Sequence, residues 1–141
     1  TPLPTFTVTD RAGDEVTLDT FRGRVVVLNL WATWCAPCKR EMPTLAALQA
    51  SFDRADLEVV ALAVDRAPFA ELDAFMAEVG AREITVLQST DMAAARALDA
   101  PGLPVTIVVD HAGRERFRHA GYADWGTDEI RAALAELVAD R

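Results

Sequence analysis

Apolar and polar positions change their period several times along the chain, and each change marks an element. Phe6 and Val8 alternate with polar residues, Arg11-Ala12-Gly13-Asp14 reads as a turn, and Val16 and Leu18 alternate again. That is the pattern of a β-hairpin within residues 1–20. Thr20 to Gly23 connects it to a continuous apolar run, Arg24 to Leu30. Such a run predicts a strand covered on both faces of an α/β sheet. From Ala36 to about Phe52 the period lengthens, and Met42, Leu45, Leu48 and Phe52 fall on one helical stripe. Pro43 lies inside this helix and is expected to kink it, because its ring removes a backbone donor and crowds the preceding turn.

Leu57 to Val64 reads as a second buried strand. Pro68 to Val79 predicts an amphipathic helix with Phe69, Leu72, Phe75, Met76 and Val79 on one side. Pro68 suits its first turn and Gly80 its end. Ile84 to Leu87 is a short strand, and Met92 to Leu98 a short helix with Ser89 or Thr90 as its cap. After the turn Pro101-Gly102-Leu103-Pro104 come the strand Val105 to Val109, the turn His111-Ala112-Gly113-Arg114 and the strand Glu115 to Ala120. The last helix runs from about Asp128 to Val138, capped by Thr127, with Ile130, Leu134, Leu137 and Val138 facing inward. Strands and helices alternate, so the fold class is α/β, with a central sheet carrying helices on both faces. Neither a repeat nor a linker divides the chain, which predicts one domain over residues 1–141.

Composition narrows the function classes. Of the 141 residues 51% are apolar, enough for a true core. The net charge of −8 argues against nucleic acid and anionic lipid as partners. Arg114, Arg116 and Arg118 alternate, but a solvated strand face accounts for them. The longest apolar run, Val25 to Trp34, is interrupted by Asn29 and Thr33 and does not span a bilayer. There is no signal peptide. The chain opens on Thr1-Pro2-Leu3-Pro4 without a methionine, which points to a trimmed N-terminus and leaves room for a lost signal or anchor.

The chemistry concentrates in Trp34-Cys35-Ala36-Pro37-Cys38. The chain has two cysteines, three apart, which is neither a structural disulfide framework nor a four-ligand zinc site. His111 and His119 lie in a distant loop-and-strand region, so no metal and no cofactor is expected. The pair stands where a core strand passes into a helix. A helix N-terminus offers unpaired N–H groups and partial positive charge, both of which favour a thiolate over a thiol. The thiolate is the attacking species in disulfide exchange. Cys35 is expected to be the exposed nucleophile and Cys38, one turn in, the buried resolver. Pro37 stiffens the turn, and Trp34 is expected to pack as a lid beside the pair.

At these residues the sequence resembles the thioredoxin superfamily. Val27-Leu28-Asn29-Leu30-Trp31-Ala32-Thr33-Trp34-Cys35-Ala36-Pro37-Cys38 is similar to its active-site segment, Pro43 to its helix-kinking proline, and Pro104 to its cis-proline. The resemblance therefore implies a thioredoxin-like fold with an N-terminal hairpin and an inserted helix and strand at 66–90. It makes Trp34, Pro37, Leu103 and Pro104 the client-binding residues. The hairpin, Cys38-Lys39-Arg40-Glu41-Met42-Pro43 and the helix Pro68 to Val79 resemble the TlpA/ResA group. Gly102-Leu103-Pro104-Val105-Thr106 and Gly121-Tyr122-Ala123-Asp124-Trp125 look nearest to its TlpA-like members.

That group implies a periplasm-facing, membrane-anchored reductase of client protein disulfides in cytochrome c or cytochrome oxidase copper-centre maturation. Electrons would come from a membrane thiol-reductant transporter, and the protein would act as a monomer. Thioredoxins proper carry a buried Asp and a Lys where this chain has Asn29 and Ala61. Glu41 matches an acidic active-site position of the ResA type, and three residues on from Cys38 it could take that thiol's proton. The bland alternative is a solvated carboxylate beside Lys39 and Arg40. Asp65, at the end of a core strand, is a weaker candidate. Asn29 is read as structural and hydrogen-bonded.

Two other function classes remain. A thiol peroxidase would share the fold, but such enzymes usually carry Thr three residues before the cysteine, and Thr33 stands two before Cys35. A copper chaperone would use the same soft thiolates, although a cis-proline over the pair tends to block metal.

Overall fold

Val25–Trp31 and Leu57–Ala63 are apolar at nearly every position, and in the computed structural model, which describes residues 2–140, both are buried throughout. They form β3 and β4, which pair in parallel from Val25 with Leu57 to Trp31 with Ala63. A strand without a polar face has to be covered on both sides. Helix α1 (Ala36–Ala50) makes the crossover between them.

The rest of the sheet is added to these two. β1 (Val8–Thr9) and β2 (Glu15–Val16) form the N-terminal hairpin, and β1 pairs antiparallel with β5 (Thr85–Gln88). β5 runs parallel to β4. On the other side β6 (Val105–Val109) lies antiparallel to β3, and β7 (Glu115–Ala120) antiparallel to β6. The order across the sheet is β2-β1-β5-β4-β3-β6-β7. Helices α2 (Phe69–Glu78), α3 (Ala93–Ala97) and α4 (Asp128–Ala139) complete the layers. This is the α/β architecture expected from the alternation of elements, with the thioredoxin-like form that the resemblance implied. No helix among the described residues is long and apolar enough to cross a membrane.

Several local expectations are corrected. The hairpin strands are only two residues long, and Phe6 and Leu18 lie outside them. Leu18 instead opens a 3₁₀ helix, Leu18–Phe21, because the Thr17 side chain accepts from the Asp19 amide and turns the chain. Pro68 is the cap of α2, outside its first turn. The cap position of α3 is Met92, in the left-handed region at φ 62°. Ser89 still contributes, since its hydroxyl accepts from the Ala94 amide at 3.3 Å, while Asp91 takes the Ala93 amide. Thr90 does not cap this helix. The arginine row is engaged locally: Arg116 pairs with Asp110, and Arg118 with Glu115 and the Leu98 carbonyl.

Register determines what stands at the active end of the sheet. Leu30 pairs with Val105, so the chain just before Val105 lies beside the end of β3. Val105 also pairs with Ala120, which brings the segment after β7 to the same end. Ala63 pairs with Gln88, so Asp65 follows β4 there as well.

Candidate active site

α1 begins at the cysteine pair. Cys35 is its N-cap, in extended conformation, and its Sγ accepts from the Cys38 amide at 3.3 Å. A sulfur in that position takes the place of the Ser or Asp oxygen that usually satisfies a free helix amide. Pro37 sits within the first turn, where its missing N–H costs nothing. The two cysteines are joined as a disulfide with their Cα atoms 5.3 Å apart. Cys38 is fully buried, as expected. Cys35 is the more accessible of the two residues but only 6% exposed, which corrects the reading of an open nucleophile.

The loop before Cys35 is tied to β4. Asp65 accepts from both the amide and the hydroxyl of Thr33, at 2.8 and 2.7 Å. With Thr33 held, the next residue turns outward, and Trp34 is 71% exposed rather than packed as a lid. Leu103 is half-buried, Pro104 is buried, and the Leu103–Pro104 peptide is cis, as the resemblance implied.

The second half of the site is polar and buried. Glu41 is fully inaccessible, against the alternative of a solvated carboxylate. Its Oε1 accepts from Asn29 Nδ2 at 2.8 Å. Its Oε2 accepts from the Ala123 amide at 2.9 Å and from Trp125 Nε1 at 3.1 Å. Burial raises the Glu41 carboxyl above its ordinary range, while the bonds from Trp125, Ala123 and Asn29 pull the other way, and the nearby His119 does so weakly. Asn29 Nδ2 also donates to Thr106 Oγ1 at 2.9 Å, and Asn29 Oδ1 is buried with no partner among the described residues. Asn29 is therefore hydrogen-bonded, as read, but it belongs to the site as well as to the core. It stands between Ala61 of β4 and Thr106 of β6 in the sheet register.

Pro43 follows Glu41 by two positions. It lies inside α1 and is exposed, and without its N–H the Lys39 carbonyl loses its helical partner. One position on, Thr44 donates its hydroxyl to the Glu41 carbonyl at 2.7 Å and accepts from the Trp125 amide at 3.1 Å. Trp125 is thus tied to α1 by its backbone and by its indole. His119, expected far from the chemistry, stands edge-on to the Trp125 ring at 6.5 Å. At the rim Arg40 lies over the Tyr122 ring at 4.9 Å, and Lys39 pairs with Glu78.

Trp125, Ala123, Thr44 and Thr106 carry no signature that assigns them to the site from sequence. A lone tryptophan in the polar loop before α4 was the available signal.

Relatives share this arrangement of elements. The chain is 34% identical over 111 residues to the thiol-disulfide oxidoreductase ResA of Bacillus subtilis, covering 79% of this chain and 61% of that one. It is 34% identical over 110 residues to ResA of Geobacillus kaustophilus, covering 78% and 62%. The chain thus spans about three fifths of the length of these curated relatives. Among solved structures, a protein of Chlorobium tepidum provisionally named thiol:disulfide interchange protein DsbE superposes with a TM-score of 0.78 at 27% identity, over 99% of this chain and 94% of that one. Mycobacterium tuberculosis DsbF, solved in mixed oxidised and reduced forms, superposes with a TM-score of 0.78 at 23% identity over 94% of each, a likeness of fold. The Redoxin family model matches residues 1–135, nearly the whole of the 141-residue chain, and the chain belongs to that family.

Proposed function

We propose that this chain is a thiol–disulfide oxidoreductase that reduces disulfides of client proteins. The carrying observation is the Cys35 sulfur at the cap of α1, accepting from the Cys38 amide. The same amide stabilises a thiolate there once the pair is reduced. Cys35 Sγ⁻ attacks a client disulfide, one sulfur of the client leaves as a thiolate, and a mixed disulfide forms. Cys38 then gives its proton to Glu41 and attacks Cys35 Sγ. The Cys35–client bond breaks, the second client thiolate departs, and the Cys35–Cys38 disulfide results. The client gains two electrons, which the cysteine pair loses. An external dithiol then reduces the pair again.

Glu41 is the proton acceptor in this reading because it is a buried carboxylate one helical turn beyond Cys38. Trp34, Pro37, Leu103 and Pro104 hold the client. The exposed Trp34 ring offers apolar contact, and the chain before β6 offers backbone groups to an extended peptide. The likeness to proteins named ResA and DsbE supports a periplasmic setting with a membrane thiol-reductant transporter as electron source. Clients in cytochrome c or cytochrome oxidase copper-centre maturation fit that setting, with the protein acting as a monomer.

The test is a Cys38→Ser variant exposed to a periplasmic extract. Client proteins should remain disulfide-linked to Cys35 and be released by dithiothreitol, and the Cys35→Ser/Cys38→Ser variant should retain none. Equal recovery from the double variant sinks the reading. So does a reduction potential near the ~−120 mV of a strong oxidant, or peroxide turnover faster than disulfide reduction.

A further inference from the structure

The three donors to Glu41 are not equivalent. The Ala123 amide and the Trp125 indole can only donate. They suit a carboxylate, and to a carboxylic acid they can donate only at its carbonyl oxygen, never accept its O–H. Asn29 presents Nδ2 to Glu41 Oε1 and to Thr106 Oγ1, and its own acceptor, Oδ1, is buried and unpartnered. A buried unmatched carbonyl calls for a physical reason.

The reason lies in the reaction. If Cys38 passes its proton to Glu41, a new O–H must find an acceptor inside this cage. Of the three partners only the Asn29 amide carries one. A half-turn about its terminal torsion exchanges Nδ2 for Oδ1. Oδ1 then accepts from the Glu41 O–H and from the Thr106 hydroxyl, which can donate as readily as it accepts. One amide atom is unpaired in either orientation, so the hydrogen-bond cost of the exchange is small.

We propose that Asn29 is a positioning residue whose side-chain amide reverses as Glu41 gains and loses the Cys38 proton, so that both protonation states of the carboxyl are hydrogen-bonded. This rests on Glu41 acting as the proton acceptor. The other groups around Glu41 do not supply the acceptor. Cys38 gives up the proton and is then spent as the attacking sulfur, and Thr106 of β6 reaches Glu41 only through Asn29. Arg40 is on α1 at the exposed rim over Tyr122, and His119 of β7 acts across the Trp125 ring.

The test follows the Asn29 side-chain amide and the Glu41 carboxyl carbon of the intact protein by NMR across pH, with selective labels. Both signals should move with one midpoint, and the Asn29 Nδ2 protons should lose their bond to the carboxylate below it. A second measurement follows release of a bound client from the mixed disulfide against pH. Asn29→Asp places a second carboxyl against Glu41, and the midpoint of that step should rise by about one unit, slowing release by up to about tenfold at pH below the midpoint. An Asn29 amide signal that stays fixed while Glu41 titrates overturns the proposal, as does an unshifted release profile in Asn29→Asp. If instead Glu41→Gln releases client at the wild-type rate, the assignment of Glu41 as acceptor fails, whatever the amide does.

Discussion

The indole of Trp125 donates to Glu41 Oε2 over 3.1 Å, joining residues 84 positions apart. Trp125 is 2% exposed and comes from the loop before α4, while Glu41 comes from the first turns of α1. Replacing the indole by the smaller phenyl ring removes the donor and leaves a modest gap. Trp125→Phe should cost about 1.5–3 kcal/mol, the range for one hydrogen bond to a charged group, and Trp125→Ala about 3–5 kcal/mol through the added cavity. Urea unfolding at neutral pH measures both. Equal losses for the two variants would mean that packing alone is at stake.

Burial lifts the Glu41 carboxyl above its ordinary 4.5 despite three donors. The native state therefore holds that proton more tightly than the unfolded chain does. Its contribution to stability is fully present below the ordinary value and is lost as pH rises through the raised one. Glu41→Gln has no such loss. The stability of the wild type minus that of the variant should accordingly fall from pH 4 towards neutrality. A difference that stays level or grows with pH contradicts the raised carboxyl.

Asp65 holds the loop before the nucleophile by two bonds to Thr33. Asp65→Ala should cost about 1.5–3 kcal/mol in unfolding free energy. It should also lower the alkylation rate of reduced Cys35, because the helix tip loses its fixed approach. Asp65→Asn keeps one acceptor and should restore part of both. Unchanged Cys35 reactivity in Asp65→Ala would confine Asp65 to the fold.

The cap position of Cys35 predicts its acidity once reduced. Its thiol should titrate below the ordinary value of roughly 8.5, and Cys35 should react with iodoacetamide before Cys38. Rates against pH, with mass mapping of the first adduct, decide this. First modification at Cys38 would reverse the two roles.

Local pattern carried much of this protein. Continuous apolar runs place β3 and β4 at the centre of the sheet, because a strand without a polar face must be covered. The i, i+3 cysteines at a strand–helix junction place the reactive pair, and Pro43 and Pro104 mark a helix interior and the turn before β6, since proline acts through its own ring on its nearest neighbours. What sequence left open is whatever depends on contacts between distant segments. A glutamate three residues past a cysteine looks the same whether it is solvated or buried. Only when the sheet and the loop after β7 assemble around α1 do Asn29 and Trp125 meet Glu41, across 12 and 84 positions, with Thr106 bonded to Asn29 behind them. The burial of Cys35 and the exposure of Trp34 are likewise tertiary, beside a loop that an Asp65 bond to Thr33 ties across 32 positions. Burial and partner identity are properties of the assembled sheet, and they decide which groups surround the Glu41 carboxyl.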